Sequence, residues 1–129
     1  MEENQVAGKR LLLVDDDGGV REMLRTALSL DPCTVVEANN GAEALGLFRN
    51  GPFDLVIVDF ELPFLKGDEL ALRIKQLAPQ QPILMLTGHD CRSSLTNPVD
   101  ALLRKPVALS RLREVIPGLL AGSETEVAA

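Results

Sequence analysis

The feature that most constrains this chain is an alternation. Five short apolar runs, each bounded by polar residues, are separated by longer stretches with helical periodicity. The runs are Arg10–Asp15 (RLLLVD), Thr34–Ala38 (TVVEA), Asp54–Asp59 (DLVIVD), Pro82–Thr87 (PILMLT) and Asp100–Arg104 (DALLR). Runs this short and apolar on both faces predict strands covered on both sides, as in a parallel sheet. Between them, Val20, Leu24, Ala27 and Leu28 share one helical face, as do Leu70, Ile74, Leu77 and Ala78. Ala44, Leu45 and Phe48 form a shorter stripe, and Leu109, Leu112, Val115, Ile116 and Leu119 a last one. Such stripes are the faces that helices lay on a sheet. Strand–helix alternation therefore predicts an α/β fold, a (βα)5 three-layer sandwich around a parallel sheet. Right-handed crossovers leave few arrangements, and strand order 2-1-3-4-5 is expected. In that order a site forms outside the carboxyl ends of the strands, where strands 1 and 3 meet.

A chain of 129 residues suits one domain and buries a core without disulfides. The domain is expected over 10–121, with a disordered polar N-terminus over 1–9 and a polar tail over 122–129. With four Phe, no Trp and no Tyr, the core has to be aliphatic. The net charge of −6 argues against a nucleic-acid surface, which needs clustered Lys and Arg to displace counterions. Cys33 and Cys91 lack metal-ligand spacing and read as free thiols of a reducing compartment. The N-terminus has no signal-peptide pattern, and no apolar run approaches a membrane span. A cytoplasmic protein is expected.

The polar residues at the strand ends carry the chemistry. Strand 1 runs into Asp15, Asp16 and Asp17; strand 3 ends in Asp59, strand 4 in Thr87, and strand 5 just before Lys105-Pro106. In the expected order these groups are neighbours. Two carboxylates ~5 Å apart at an effective dielectric of ~20 repel by roughly 3 kcal/mol. Such a cluster protonates or binds a cation, and hard carboxylate oxygens completed by water suit Mg²⁺. Lys105 adds a point charge and Thr87 a hydroxyl donor, so together they can hold the oxygens of a transferring phosphoryl group. Asp59 is then the nucleophile.

The ordered set Leu11-Leu12-Leu13-Val14-Asp15-Asp16-Asp17, Val56-Ile57-Val58-Asp59-Phe60-Glu61-Leu62-Pro63-Phe64-Leu65-Lys66-Gly67, Leu84-Met85-Leu86-Thr87-Gly88 and Lys105-Pro106 resembles the bacterial response-regulator receiver domains, with the chemotaxis receiver among them. The resemblance implies a flavodoxin-like fold and a phosphorelay role in a two-component system. A sensor histidine kinase or histidine phosphotransfer protein would phosphorylate Asp59 and so alter a partner-binding surface. It also implies that Asp16 binds Mg²⁺ directly, that Asp15 helps directly or through water, and that Glu61 offers its main-chain carbonyl. Thr87 and Lys105 would hold the phosphoryl oxygens, and the Lys105–Pro106 peptide is usually cis in the family. Gly67 reads as a helix-start or turn glycine, Pro63 as a loop-shaping residue, and Asp17 as a helix cap. Such a domain is not a turnover enzyme beyond its own phosphorylation and dephosphorylation. Its partners would be the kinase, an output protein or domain, and a second copy in a homodimer.

The chain departs from the family pattern in places. Leu102 stands where receivers often carry an aromatic residue, so the usual coupling of Thr87 to a swinging ring is in question. The interval from Thr87 to Lys105 is about four residues shorter than usual in the family. The helix between strands 4 and 5 is therefore expected to be short or disordered, and with it the family's common dimer or output surface altered. Gly18-Gly19 weakens the first helix, and Pro117 is expected to end or bend the last one near Ile116. His89, the lone histidine, reads as a loop residue or as a neighbour that tunes phosphate lifetime. Single Arg and Lys residues on the helices read as solvated faces. Two alternatives remain open at this point. One is a degenerate receiver that acts as an interaction module without phosphate. The other is a haloacid-dehalogenase-like phosphatase with Asp15 as nucleophile and Asp17 as acid, which lacks the expected Thr or Val at Gly19.

Overall fold

The computed structural model describes residues 8–29, 32–88 and 99–121. Its elements follow the order β1 (Arg10–Val14), α1 (Gly18–Leu28), β2 (Thr34–Ala38), α2 (Gly41–Arg49), β3 (Leu55–Asp59), α3 (Gly67–Leu77), β4 (Ile83–Thr87), β5 (Ala101–Arg104) and α4 (Leu109–Leu120). All strand pairs are parallel, in the order β2-β1-β3-β4-β5. The fold is thus the flavodoxin-like sandwich that the alternation predicts.

Successive side chains of a strand point to opposite faces, and here each face has its own core. Leu11, Leu13, Leu55, Ile57, Leu84, Leu86 and Leu103 pack with Leu24 and Leu28 of α1 and Leu112, Val115, Ile116, Leu119 and Leu120 of α4. Leu12, Val14, Val56, Val58, Ile83 and Met85 pack with Ala44 and Leu45 of α2 and Leu70, Ala71 and Ile74 of α3. Leu102 lies against this second group, opposite Met85, so the position that is often aromatic in relatives is here a packed aliphatic side chain.

Three strands begin one residue later than the apolar runs, and acidic side chains explain two of them. At Asp54, the backbone N–H reaches Arg10 O at 2.7 Å while the carboxylate accepts from Arg10 N at 2.8 Å. At Asp100, the N–H reaches Ile83 O at 2.9 Å and the carboxylate accepts from Ile83 N at 2.8 Å. A side chain thus replaces the main chain at the edge of each ladder. Pro82 has no N–H to contribute. The first strand stops at Val14 because Asp15 turns its carbonyl to a side chain of α1.

The helix ends also follow from identifiable contacts. Asp17 caps α1, its carboxylate accepting from Gly19 N at 2.8 Å and Val20 N at 3.4 Å. A cap contributes ~1 kcal/mol, enough to offset one of the two glycines that follow. Of the two expectations for Pro117, an end or a bend near Ile116, the end is overturned: α4 continues to Leu120. Pro117 costs about 3 kcal/mol in a helix interior. Leu119 and Leu120 beyond it are at most 8% exposed, and burying each contributes roughly 1.5–3 kcal/mol. Leu77 and Leu109, counted as core-facing in the stripes, are 51% and 43% exposed at a helix end. Residues 89–98, where a reduced helix and His89 were expected, lie outside the described residues, as does Cys91. Among the described residues no helix is long and apolar enough to cross a membrane.

Candidate functional site

The carboxyl ends of β1, β3, β4 and β5 meet around a cluster of oxygens. Asp15 follows β1 directly and is buried, as is Asp59, the last residue of β3; Asp16 is exposed. One carboxylate oxygen from each of Asp15, Asp16 and Asp59 lies within 4.8 Å of the others. Lys105 comes immediately after β5, and its Nζ stands 3.3 Å from Asp15 Oδ2 and 3.3 Å from Asp59 Oδ1. Its backbone N–H donates to Thr87 O at 2.7 Å, which ties the end of β5 to the end of β4. The Lys105–Pro106 peptide is cis, as expected. Thr87 is buried one register step beyond Leu86, which pairs with Asp59.

Burial disfavours charge on Asp59 and the Asp15 carboxylate repels it, so its carboxyl is held above the usual range; the Lys105 ammonium and the Glu61 N–H, 3.2 Å away, only partly offset this. Burial also works against the Lys105 charge, but Asp15 and Asp59 outweigh it and raise the ammonium above its usual value. The site therefore holds more negative charge than one lysine satisfies. Hard oxygens this close together, with Asp16 open to water, fit a divalent cation of the Mg²⁺ type.

The loop after Asp59 is shaped by close contacts. A Cβ on Gly67 would stand 2.3 Å from the main-chain oxygen of Asp59 and 2.7 Å from Phe60 Cα, so only glycine lets α3 start against the end of β3. Gly67 is the first residue of α3, which agrees with its reading as a helix-start glycine. Leu65 packs against Gly41 at the start of α2. Phe64, between Pro63 and Leu65, is left-handed at φ 69° and 98% exposed, which the sequence did not signal. Glu61 lies in the same loop with its side chain exposed.

One set of residues was misread. Arg21 is not a solvated helix residue: its Nη1 donates to Asp15 O at 2.6 Å and its Nε to Glu37 Oε1 at 3.0 Å. Arg25 Nη1 donates to Glu37 Oε2 at 2.5 Å. The available signal was a lone Glu inside the apolar TVVEA run, facing two arginines four residues apart on a helix. Lys75 is likewise engaged, with Asp100 Oδ2 at 2.8 Å and Gln81 O at 2.6 Å. Asp17 is occupied as the α1 cap, and the close carboxylate group is formed by Asp15, Asp16 and Asp59.

Comparison with known proteins agrees with this geometry. Among curated proteins, the chain is 39% identical over 115 residues to the response regulator MprA of Mycobacterium sp. (strain KMS), covering 86% of this chain and 50% of that protein. It is 33% identical over 109 residues to the autoinducer 1 sensor kinase/phosphatase LuxN of Vibrio campbellii, covering 82% of this chain and 13% of that protein. The chain thus spans about half the length, or less, of these relatives. Among solved structures, it superimposes with a TM-score of 0.83 on a CheY-like receiver domain protein from Methanospirillum hungatei, at 31% identity, covering 89% of this chain and 95% of that one. It matches the response regulator TrrA of Thermotoga maritima in complex with Mg²⁺ and BeF with a TM-score of 0.81 at 35% identity, covering 86% of this chain and 98% of that one. The model of the response regulator receiver domain matches residues 11–117, nearly the whole of the sandwich, and the chain belongs to that family.

Proposed function

We propose that this domain is the phosphoacceptor of a two-component system, receiving a phosphoryl group on Asp59 from a histidine kinase or histidine phosphotransfer protein. The observation that carries the proposal is the convergence of Asp15, Asp16 and Asp59 oxygens within 4.8 Å, beside a Lys105 ammonium 3.3 Å from two of those carboxylates. In the transfer, an Asp59 oxygen bonds to phosphorus while the phosphorus–nitrogen bond of the donor's phosphohistidine breaks, its electron pair returning to the imidazole. The product is an acyl phosphate. Asp15, Asp16 and Asp59, with the main-chain carbonyl of Glu61, would hold Mg²⁺. When bound, the ion supplies positive charge against the phosphoryl oxygens. Lys105 stabilises the same developing charge from the β5 side, and the Thr87 hydroxyl donates to one phosphoryl oxygen. Asp59 itself is 4% exposed, which would limit the access of water to the carbonyl carbon of the acyl phosphate. The domain would work in the cytosol and pass its signal through a partner surface. The match to TrrA bound to Mg²⁺ and BeF supports this reading over a receiver that ignores phosphate. Membership of the family and the capping role of Asp17 speak against the phosphatase alternative.

The test is labelling with a small phosphoryl donor such as acetyl phosphate. One acid-labile phosphoryl group per chain is expected in Mg²⁺, and none in EDTA or in Asp59→Asn. Full labelling of Asp59→Asn would overturn the assignment. Beryllofluoride with Mg²⁺ should also shift amide resonances beyond the site loops; shifts confined to those loops would favour the phosphate-independent module.

A further inference from the structure

Asp15 is held from an unusual direction. The β1 ladder ends at Val14, yet the Asp15 N–H still donates to Ala38 O of β2 at 3.1 Å. Its carbonyl goes to Arg21 Nη1 at 2.6 Å. The same guanidinium donates through Nε to Glu37, the residue just before Ala38. The result is a closed ring: Asp15 main chain, Arg21, Glu37, Ala38 and back to Asp15. Arg25 takes the second oxygen of Glu37, so the carboxylate has little freedom to rotate. The Arg21 and Glu37 side chains are 21% and 29% exposed, which shields these charge-assisted bonds from solvent and salt.

The need for such a ring follows from the charges. The Asp15 carboxylate faces Asp16 and Asp59 at close range and is repelled by both. The Asp17 N–H and Lys105 Nζ hold its side chain at 2.9 Å and 3.3 Å. The Asp15 main chain, from which that side chain springs, is held on its N–H side by Ala38 O and on its carbonyl side by Arg21, away from the clustered oxygens themselves.

We propose that Arg21, oriented by Glu37, is a positioning residue for the metal site: it pins the Asp15 peptide so that the Asp15 carboxylate stays in the cluster despite repulsion. The proposal rests on the Mg²⁺-binding reading given above. It makes a prediction whose sign separates it from simple electrostatics. Arg21 is a cation near a cation site, so through space alone its removal would tighten Mg²⁺ binding. A positioning role predicts the reverse. It also predicts that Arg21→Lys fails to rescue, because an ammonium cannot bridge the Asp15 carbonyl and the Glu37 carboxylate as a planar fork does.

The experiment is titration of wild type, Arg21→Met and Arg21→Lys with MgCl₂, followed by amide shifts, alongside urea unfolding in EDTA. Both variants are expected to bind Mg²⁺ about tenfold more weakly than wild type. Tighter binding in Arg21→Met, or Arg21→Lys binding like wild type, would overturn the proposal. So would an unfolding midpoint that falls while the Mg²⁺ dissociation constant stays within twofold, since that marks a structural pin alone. If Arg21→Met does not fold, Arg21→Lys decides by the same criterion. Absence of Mg²⁺ binding by the wild type would instead defeat the underlying metal-site reading.

Discussion

Three glycines offer a graded test of how tightly the site is built. At Gly67 an added methyl would stand 2.3 Å from Asp59 O, 2.7 Å from Phe60 Cα and 3.0 Å from Asp59 C, all of them main-chain atoms. The shortest contact is about 1 Å or more inside ordinary van der Waals separation. The strand end and the helix start must therefore part. Overpacking of this kind costs ~1–3 kcal/mol. The Gly67 N–H to Phe60 O bond, now 2.9 Å, would be stretched, at a further ~1 kcal/mol. Better helix propensity returns at most ~1 kcal/mol. Gly67→Ala should thus destabilise by roughly 1–3 kcal/mol. At Gly41 the clash is with the Leu65 side chain, at 2.8 Å, which can give way, so a loss of about 1 kcal/mol is expected. Gly46, exposed in α2, has nothing within 4 Å, and Gly46→Ala should stabilise by ~0.5–1 kcal/mol. Urea unfolding in EDTA measures all three; with slopes of about 1–3 kcal/mol per molar, the outer two midpoints should differ by at least ~0.5 M. Because the displaced oxygen belongs to Asp59, Gly67→Ala should also slow phosphoryl acceptance more than Gly41→Ala does. A Gly67→Ala stability within about 0.5 kcal/mol of wild type would refute the reasoning, since the methyl could then be housed without moving the strand.

Other outcomes follow from the same contacts. Two arginines hold Glu37 ionised: burial pushes its carboxyl up, but hydrogen bonds and charge from Arg21 and Arg25 bring it below its ordinary value of 4.5. A lowered folded value means stability present above pH ~4.5 and lost as pH falls through the folded value. Glu37→Gln should therefore destabilise most at pH 7 and progressively less as the pH falls below ~4.5, read from unfolding free energy against pH; a loss that does not change with pH would deny the linkage. Removing the cation between Asp15 and Asp59 leaves two buried carboxylates facing each other, so Lys105→Met should lose about 1–3 kcal/mol at pH 7 in EDTA, and less at pH 4. A loss independent of pH would show that the lysine stem, not its charge, matters. Pro117→Ala restores an amide donor inside α4 and should raise stability by ~1 kcal/mol or more in thermal unfolding; a lower midpoint would mean the helix is shaped around the proline.

The sequence by itself determined the architecture. Its apolar runs are too short for helices and lack the alternation of a half-exposed sheet, so they had to be strands of a covered sheet, although the edge strand β2 is only half-buried. Strand–helix alternation then left few topologies. Asp15, Asp16, Asp59, Thr87 and Lys105 were legible because a parallel sheet sends the ends of its strands to one edge, whatever the loops do. Only the tertiary structure decided what depends on distances between elements far apart in the chain. It joined Arg21 to Asp15 and Glu37, three residues on a helix, a strand end and an edge strand, where the sequence offered only scattered charges. It carried α4 past Pro117, because burial of Leu119 and Leu120 outweighs a local propensity that the sequence does show. It also revealed that Gly67 is required by the Asp59 carbonyl rather than by its own turn. Local pattern is set by energies between near neighbours. Which charge meets which, and which penalty is overridden, depends on packing across the sheet.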